Sequence, residues 1–169
     1  EVPIRAIFND QVFTTQGITP LTGEIIVQYY AQGRQVEQRQ SVTYDLHDKN
    51  ALTWDDDRKA AAFVTPQDSA VRNYASYIRQ EHRDVTNNYL CKNLQYAMQA
   101  YNALGELGIL YQVDPTSPFT EVQEDSVIVD SISLPRETLV RRTGDCDDLS
   151  VLYNTLLQTV GIPTAFVTT

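Results

Sequence analysis

The strong nucleophiles and near-neutral bases in this sequence are few: two cysteines, Cys91 and Cys146, and two histidines, His47 and His82. Cys146 stands in Gly144-Asp145-Cys146-Asp147-Asp148, immediately before an apolar repeat with helical spacing: Leu149, Leu152, Tyr153, Leu156, Leu157 and Val160. Asp145 suits the N-cap of that helix, with Asp148 reaching back as a shortened capping box. Extending the stripe back one turn lands on Cys146, so the thiol is expected in the first turn, facing what the helix packs against. Unpaired N–H groups and the positive end of the helix stabilise a thiolate there and lower its pKa. Asp145, Asp147 and Asp148 act in the opposite direction, so activation demands a close imidazolium. The plainer reading is a buried, inert cysteine filling the helix start. Both histidines precede Cys146, and His82, in Glu81-His82-Arg83-Asp84, reads as solvated.

The elements that position this segment divide the chain. Residues 1–48 read as an antiparallel β segment, part of a sandwich. Its strands are Ile4 to Phe13, Glu24 to Tyr30 and Val36 to Leu46, with turns at 17–20 and Gly33. Residues 49–66 read as a polar connector with a helical turn. Its three adjacent carboxylates, Asp55, Asp56 and Asp57, lack EF-hand spacing and are taken as a solvated turn. Residues 67–169 carry two amphipathic helices. The first is capped by Asp68 or Ser69 and buries Val71, Tyr74, Ala75 and Ile78. The second starts near Thr86 and buries Leu90, Leu94, Ala97, Met98, Tyr101 and Leu104, with Cys91 packed beside it. Short strands are expected at Ile109 to Val113, Val127 to Val129 and Ala165 to Val167. A short helix should begin at Pro135 and end at Gly144. The fold class is therefore α+β.

Composition narrows the function. Thirteen Lys and Arg against 22 Asp and Glu give a net charge of −9, which argues against a nucleic-acid partner. The apolar fraction, 42%, suits a folded chain. The longest apolar run, Ala60 to Val64, is far short of the roughly 20 residues a membrane span needs. No P-loop, dinucleotide fingerprint or zinc signature is present, so neither cofactor nor metal is expected. Glu1 at the start, without a signal peptide, suggests a processed protein or an excised piece.

Arg142-x-Gly144-x-Cys146-x-Asp148, the helix through Leu157, and Gly161-Ile162-Pro163 followed by a strand together resemble the nucleophile segment of the transglutaminase-like superfamily. Leu134-Pro135-x-Glu137-Thr138-Leu139 and Asp114-Pro115-x-Ser117 add to the likeness, which points to bacterial members within multidomain envelope proteins. The resemblance implies a papain-like core, present here as its helical half and incomplete at the C-terminus. It makes Cys146 the nucleophile of a cysteine hydrolase or acyltransferase acting on peptide or glutamine carbonyls. The Cys146 backbone N–H plus Tyr111 or Gln112 would hold the oxyanion. In the family the triad His and Asp follow the nucleophile, and this sequence has no histidine after Cys146, so the isolated chain is expected to be inactive. The resemblance also implies a peptide or protein substrate and a periplasmic or other extracytoplasmic location. A free edge at 165–167 would allow a homodimer by strand exchange. The competing readings are a non-catalytic peptide-binding module and a structural module of an envelope protein.

Overall fold

A computed structural model of the chain describes residues 7–113 and 129–168. The fold is mixed α+β and divides into two compact units, Glu1–Lys49 and Asn50–Thr169. Asp114-Pro115-x-Ser117, Val127, Ile128 and residues 4–6 of the Ile4–Phe13 stretch lie outside the described residues.

In the first unit, β1 (Thr19–Ala31) and β2 (Arg34–Leu46) form an antiparallel hairpin whose register runs from Thr19↔Leu46 to Ala31↔Arg34. Gln32 and Gly33 both have positive φ, 51° and 75°, which lets a two-residue loop follow the twist of the strands. One face carries Leu21, Ile25, Val27 and Tyr29 opposite Tyr44, Gln40, Gln38 and Val36. The other holds Arg39 on Glu24 at 3.1 Å and on Glu37 at 2.7 Å, with Gln28 also bonding Glu37. The expected strand over Ile4–Phe13 is not found where it is described. Asp10–Thr14 is a 3-10 turn instead, started by the Asn9 side chain accepting from the Gln11 N–H.

The second unit opens with β3 (Ala51–Thr53) and a 3-10 helix, Asp57–Phe63, so residues 50–66 are a packed part of this unit and not a connector. The acidic turn is consumed locally. Asp55 pairs with Lys59, Asp56 caps and pairs with Arg58, and Asp57 accepts from Thr168 Oγ1 at 2.6 Å. Helix α1 (Ser69–Glu81) is capped by Asp68 and buries Val71, Ala75 and Ile78, as its spacing requires. Helix α2 (Lys92–Glu106) differs from expectation at both levels. It starts six residues after Thr86 because Asn87 makes a local turn, its side chain accepting from the Tyr89 N–H at 2.8 Å. Its buried residues are Tyr96, Ala100 and Ala103, whereas Leu94, Met98 and Tyr101 are exposed. Small side chains let the helices approach closely, and this outweighs the greater apolarity of the other face. Cys91 is exposed, not packed.

Strand β4 is only Leu110–Tyr111 and runs parallel to β6 (Thr143–Gly144), while β5 (Val129–Ser131) pairs antiparallel with β3. Helix α3 (Pro135–Arg141) ends with Arg142 in the left-handed region at φ 60°, so Gly144 is not its stop signal. Helix α4 (Cys146–Thr159) is the centre of the unit. Leu152, Leu156 and Leu157 face Val71, Ala75, Ile78, Tyr96, Ala100 and Ala103 of α1 and α2, whereas Val151 faces Leu52, Ala60, Phe63 and Ile132. Residues 165–167 form no strand; Phe166 packs beside the second cluster without a ladder partner. The edge invoked for strand exchange is therefore not present at that segment. No helix among the described residues is long and apolar enough to cross a membrane.

Burial along α4 predicts that Leu156→Ala, at a site with 0% exposure, lowers unfolding free energy by about 2–5 kcal/mol. Met98→Ala, half exposed on α2, should change it by less than about 0.5 kcal/mol. Urea unfolding of both variants checks the assignment, and comparable losses would place the core on the wrong face of α2.

Candidate functional site

The site is built where β6 turns into α4. Gly144 pairs with Tyr111 across the parallel strands, and the Gln112 N–H donates to the Gly144 carbonyl at 2.9 Å. Asp145 adopts extended backbone and caps α4, accepting from the Asp148 N–H at 3.4 Å, so Cys146 is the first helical residue. The sequence-predicted Cys146 and Tyr111 thus lie on neighbouring segments. Tyr111 is 62% exposed, and Gln112 has its backbone N–H committed to the ladder.

Cys146 is exposed, which corrects two expectations: it does not continue the buried stripe, and it is not an inert core plug. Asp148, not Cys146, extends the buried side of α4, at 8% exposure. The thiol is not activated by the helix start either. Its pKa is pushed above the ordinary value, first by partial shielding of the sulfur from water and then by Asp147 and Asp145; the N–H groups of Asp147 and Cys146 oppose this and lose. The charged groups acting on the thiol are therefore carboxylates. His82 ends α1 as its C-cap residue, and among the described contacts nothing joins it to Cys146; His47 belongs to the first unit.

Asp147 is held far above the usual carboxylate range by burial and by its hydrogen bond and repulsion with Asp145, with Asp130 adding to the repulsion. Asp130 in turn accepts from Trp54 Nε1 at 2.7 Å. Asp148 does not reach back to Asp145. Its carboxylate accepts from the Ser133 N–H at 2.6 Å and from Ser133 Oγ at 3.1 Å, and Arg141 Nη2 donates to the same Oγ at 2.8 Å. Burial raises the Asp148 pKa, opposed by the two Ser133 donors and Arg141. Asp145, Asp147 and Asp148 place carboxylate oxygens within 4.8 Å of one another, a spacing open to a small cation, but capping and the Ser133 contacts already account for two of the three. Ser133 and the role of Gly144 are not evident from sequence. The one signal present is a glycine just ahead of an N-cap, which marks a close backbone approach as readily as a helix stop.

Comparisons with protein-family models, curated proteins and solved structures gave no match for this chain.

Two outcomes follow. Iodoacetamide should alkylate Cys146 at pH 7.5 more slowly than it alkylates free cysteine, read by mass spectrometry in a Cys91→Ser background; an equal or faster rate would show that the N–H groups dominate. Asp147 binds its proton more tightly folded than unfolded. Its protonation therefore favours folding at low pH, and that contribution is lost as pH rises above the ordinary value of 3.8. Relative to the parent, Asp147→Asn should accordingly raise the unfolding free energy more at pH 8 than at pH 5, by an excess on the order of 1 kcal/mol for each pH unit between them. A pH-independent difference would refute the raised pKa.

Proposed function

We propose that the second unit is the nucleophile-bearing half of a transglutaminase-like cysteine hydrolase or acyltransferase acting on peptide or glutamine carbonyls. The observation that carries this reading is Cys146 as the exposed first residue of a helix otherwise buried along two faces, next to the strand that bears Tyr111. In this reaction the sulfur attacks a carboxamide carbon. A base takes the thiol proton and returns it to the departing ammonia or amine, and water or a second amine then resolves the thioester. The Cys146 N–H and the Tyr111 hydroxyl would stabilise the oxyanion. The described contacts of the second unit bring no histidine to Cys146, so this reading requires one from elsewhere in the protein or from a partner. The proposed extracytoplasmic location rests on the sequence resemblance alone.

A second reading, a non-catalytic peptide-binding or structural module of an envelope protein, is favoured by the raised thiol pKa. Chemical rescue separates the two. With added imidazole, the chain should incorporate a fluorescent primary amine into a glutamine-rich protein, or release ammonia from it, slowly and only with Cys146 intact. Tyr111→Phe should reduce that rate at least about tenfold. Absence of any product abolished by Cys146→Ala, across the imidazole range, would leave the binding-module reading standing.

A further inference from the structure

Asp148 and Ser133 form a buried polar contact that no covalent step of the proposed reaction uses. Both are almost fully enclosed, at 8% and 5% exposure. Such groups are retained inside a fold when their hydrogen bonds are satisfied, and these are. The Asp148 carboxylate takes both donors that Ser133 offers, N–H and Oγ–H, while the Ser133 oxygen accepts from Arg141. On its other side Asp148 lies against Gly144: a Cβ at residue 144 would come within 2.7 Å of the Asp148 Cβ and 3.0 Å of its Oδ2. Gly144 is also the residue paired with Tyr111. One carboxylate therefore touches the segment ahead of α3, the β6 strand and, through that strand, its partner β4, from a position two residues after Cys146.

We propose that Asp148 is a positioning residue: clamped to Ser133 and seated against Gly144, it fixes the first turn of α4 so that the Cys146 thiol is held at a set place beside the Tyr111 strand. The inference rests on the reading of Cys146 as a nucleophile. Its mechanism is geometric. Without the clamp the first turn frays, as helix termini do when their end groups lose partners. The sulfur then leaves both its partial shelter and the Asp145 and Asp147 carboxylates that surround it.

The readout is the pH dependence of Cys146 alkylation in a Cys91→Ser background, with near-UV circular dichroism confirming that each variant is folded. Ser133→Ala removes the Oγ link without changing charge. It should move the midpoint of the alkylation profile down toward that of free cysteine. For every pH unit by which that midpoint falls, the rate at pH 7.5 should rise about threefold, the gain in thiolate being partly offset by its lower nucleophilicity. Ser133→Thr, which keeps the hydroxyl, should retain the parental profile. Asp148→Asn should move it in the same direction as Ser133→Ala. A folded Ser133→Ala variant with lowered Tm and an unchanged profile would overturn the proposal, because a merely structural contact alters stability alone. A changed profile in Asp148→Asn but not in Ser133→Ala would likewise overturn it, as removal of charge would then suffice. If Asp148→Asn does not fold, the Ser133→Ala and Ser133→Thr pair decides by itself. Alkylation reports the thiol's surroundings whether or not the chain turns over an amide, so failure of the imidazole rescue and failure of this inference remain distinguishable.

Discussion

Asp148 occupies the interior at the head of α4 because residue 144 has no side chain. A methyl group there would meet the Asp148 Cβ at 2.7 Å, inside any tolerable contact, and the helix would have to retreat from β6. With glycine in place the approach is close enough for the carboxylate to reach Ser133, and the helix start, the strand pair and the segment before α3 share one fixed point. Burying a carboxylate costs several kcal/mol unless it is well bonded, and here two donors from one serine meet that requirement, with Arg141 behind them. Cys146 stands two residues from that contact, in the turn it ties down.

The same corner shows two opposing electrostatic effects acting on one sulfur. The N-terminus of a helix stabilises nearby negative charge by about 0.3–1 kcal/mol at an exposed site. Against it stand partial removal of the thiol from water and the proximity of Asp147 and Asp145, and together these prevail. The outcome is an exposed thiol that is mostly protonated at neutral pH. Such a thiol reacts more slowly than a free cysteine, and a cation or an imidazole brought near it would offset the acidic surround. The surround also disfavours its own full ionisation: burial, a shared hydrogen bond and repulsion with Asp145 hold the Asp147 carboxyl above its usual range.

How much of this was legible in the sequence depended on whether a residue's place follows from its own neighbours along the chain. Helix α1, with Val71, Ala75 and Ile78 inward, obeys local rules of capping and spacing and is readable except for the choice of Asp68 over Ser69 as its cap. The cap of α4 at Asp145 and its stripe through Leu152 and Leu156 were readable for the same reason. The face of α2 was not, since hydrophobicity favours Leu94, Met98 and Tyr101, whereas the packed face uses Ala100 and Ala103, selected by how near α1 and α4 come. Residues 50–66 looked like a linker because Ala51–Thr53 is a strand only by pairing with Val129–Ser131, nearly 80 residues away. At the site, the residue type and helical position of Cys146 were legible, but its exposure was not. A stripe extrapolated by three residues ignores that α4 buries a second side, through Val151 and Asp148, and that this second side continues to the helix start.

Burial on two sides gives α4 the rigidity that the proposed nucleophile role of Cys146 would require. Leu152, Leu156 and Leu157 lock it against α1 and α2, while Val151 locks it against the cluster of Leu52, Phe63 and Ile132. A helix gripped along its length cannot roll or slide without breaking both sets of contacts, so its first turn is presented from a rigid base even though Cys146 itself meets solvent. The N-terminal end is where such a helix is most prone to fray, because its leading N–H groups lack partners in the helix itself. Asp145 meets part of that need from within the turn, and Asp148 ties the turn to Ser133 from outside it. Rigidity from the core and anchoring at the tip act on different atoms, and precise placement of the sulfur requires both: a rigid helix with a loose first turn would still leave the thiol free to wander from Tyr111.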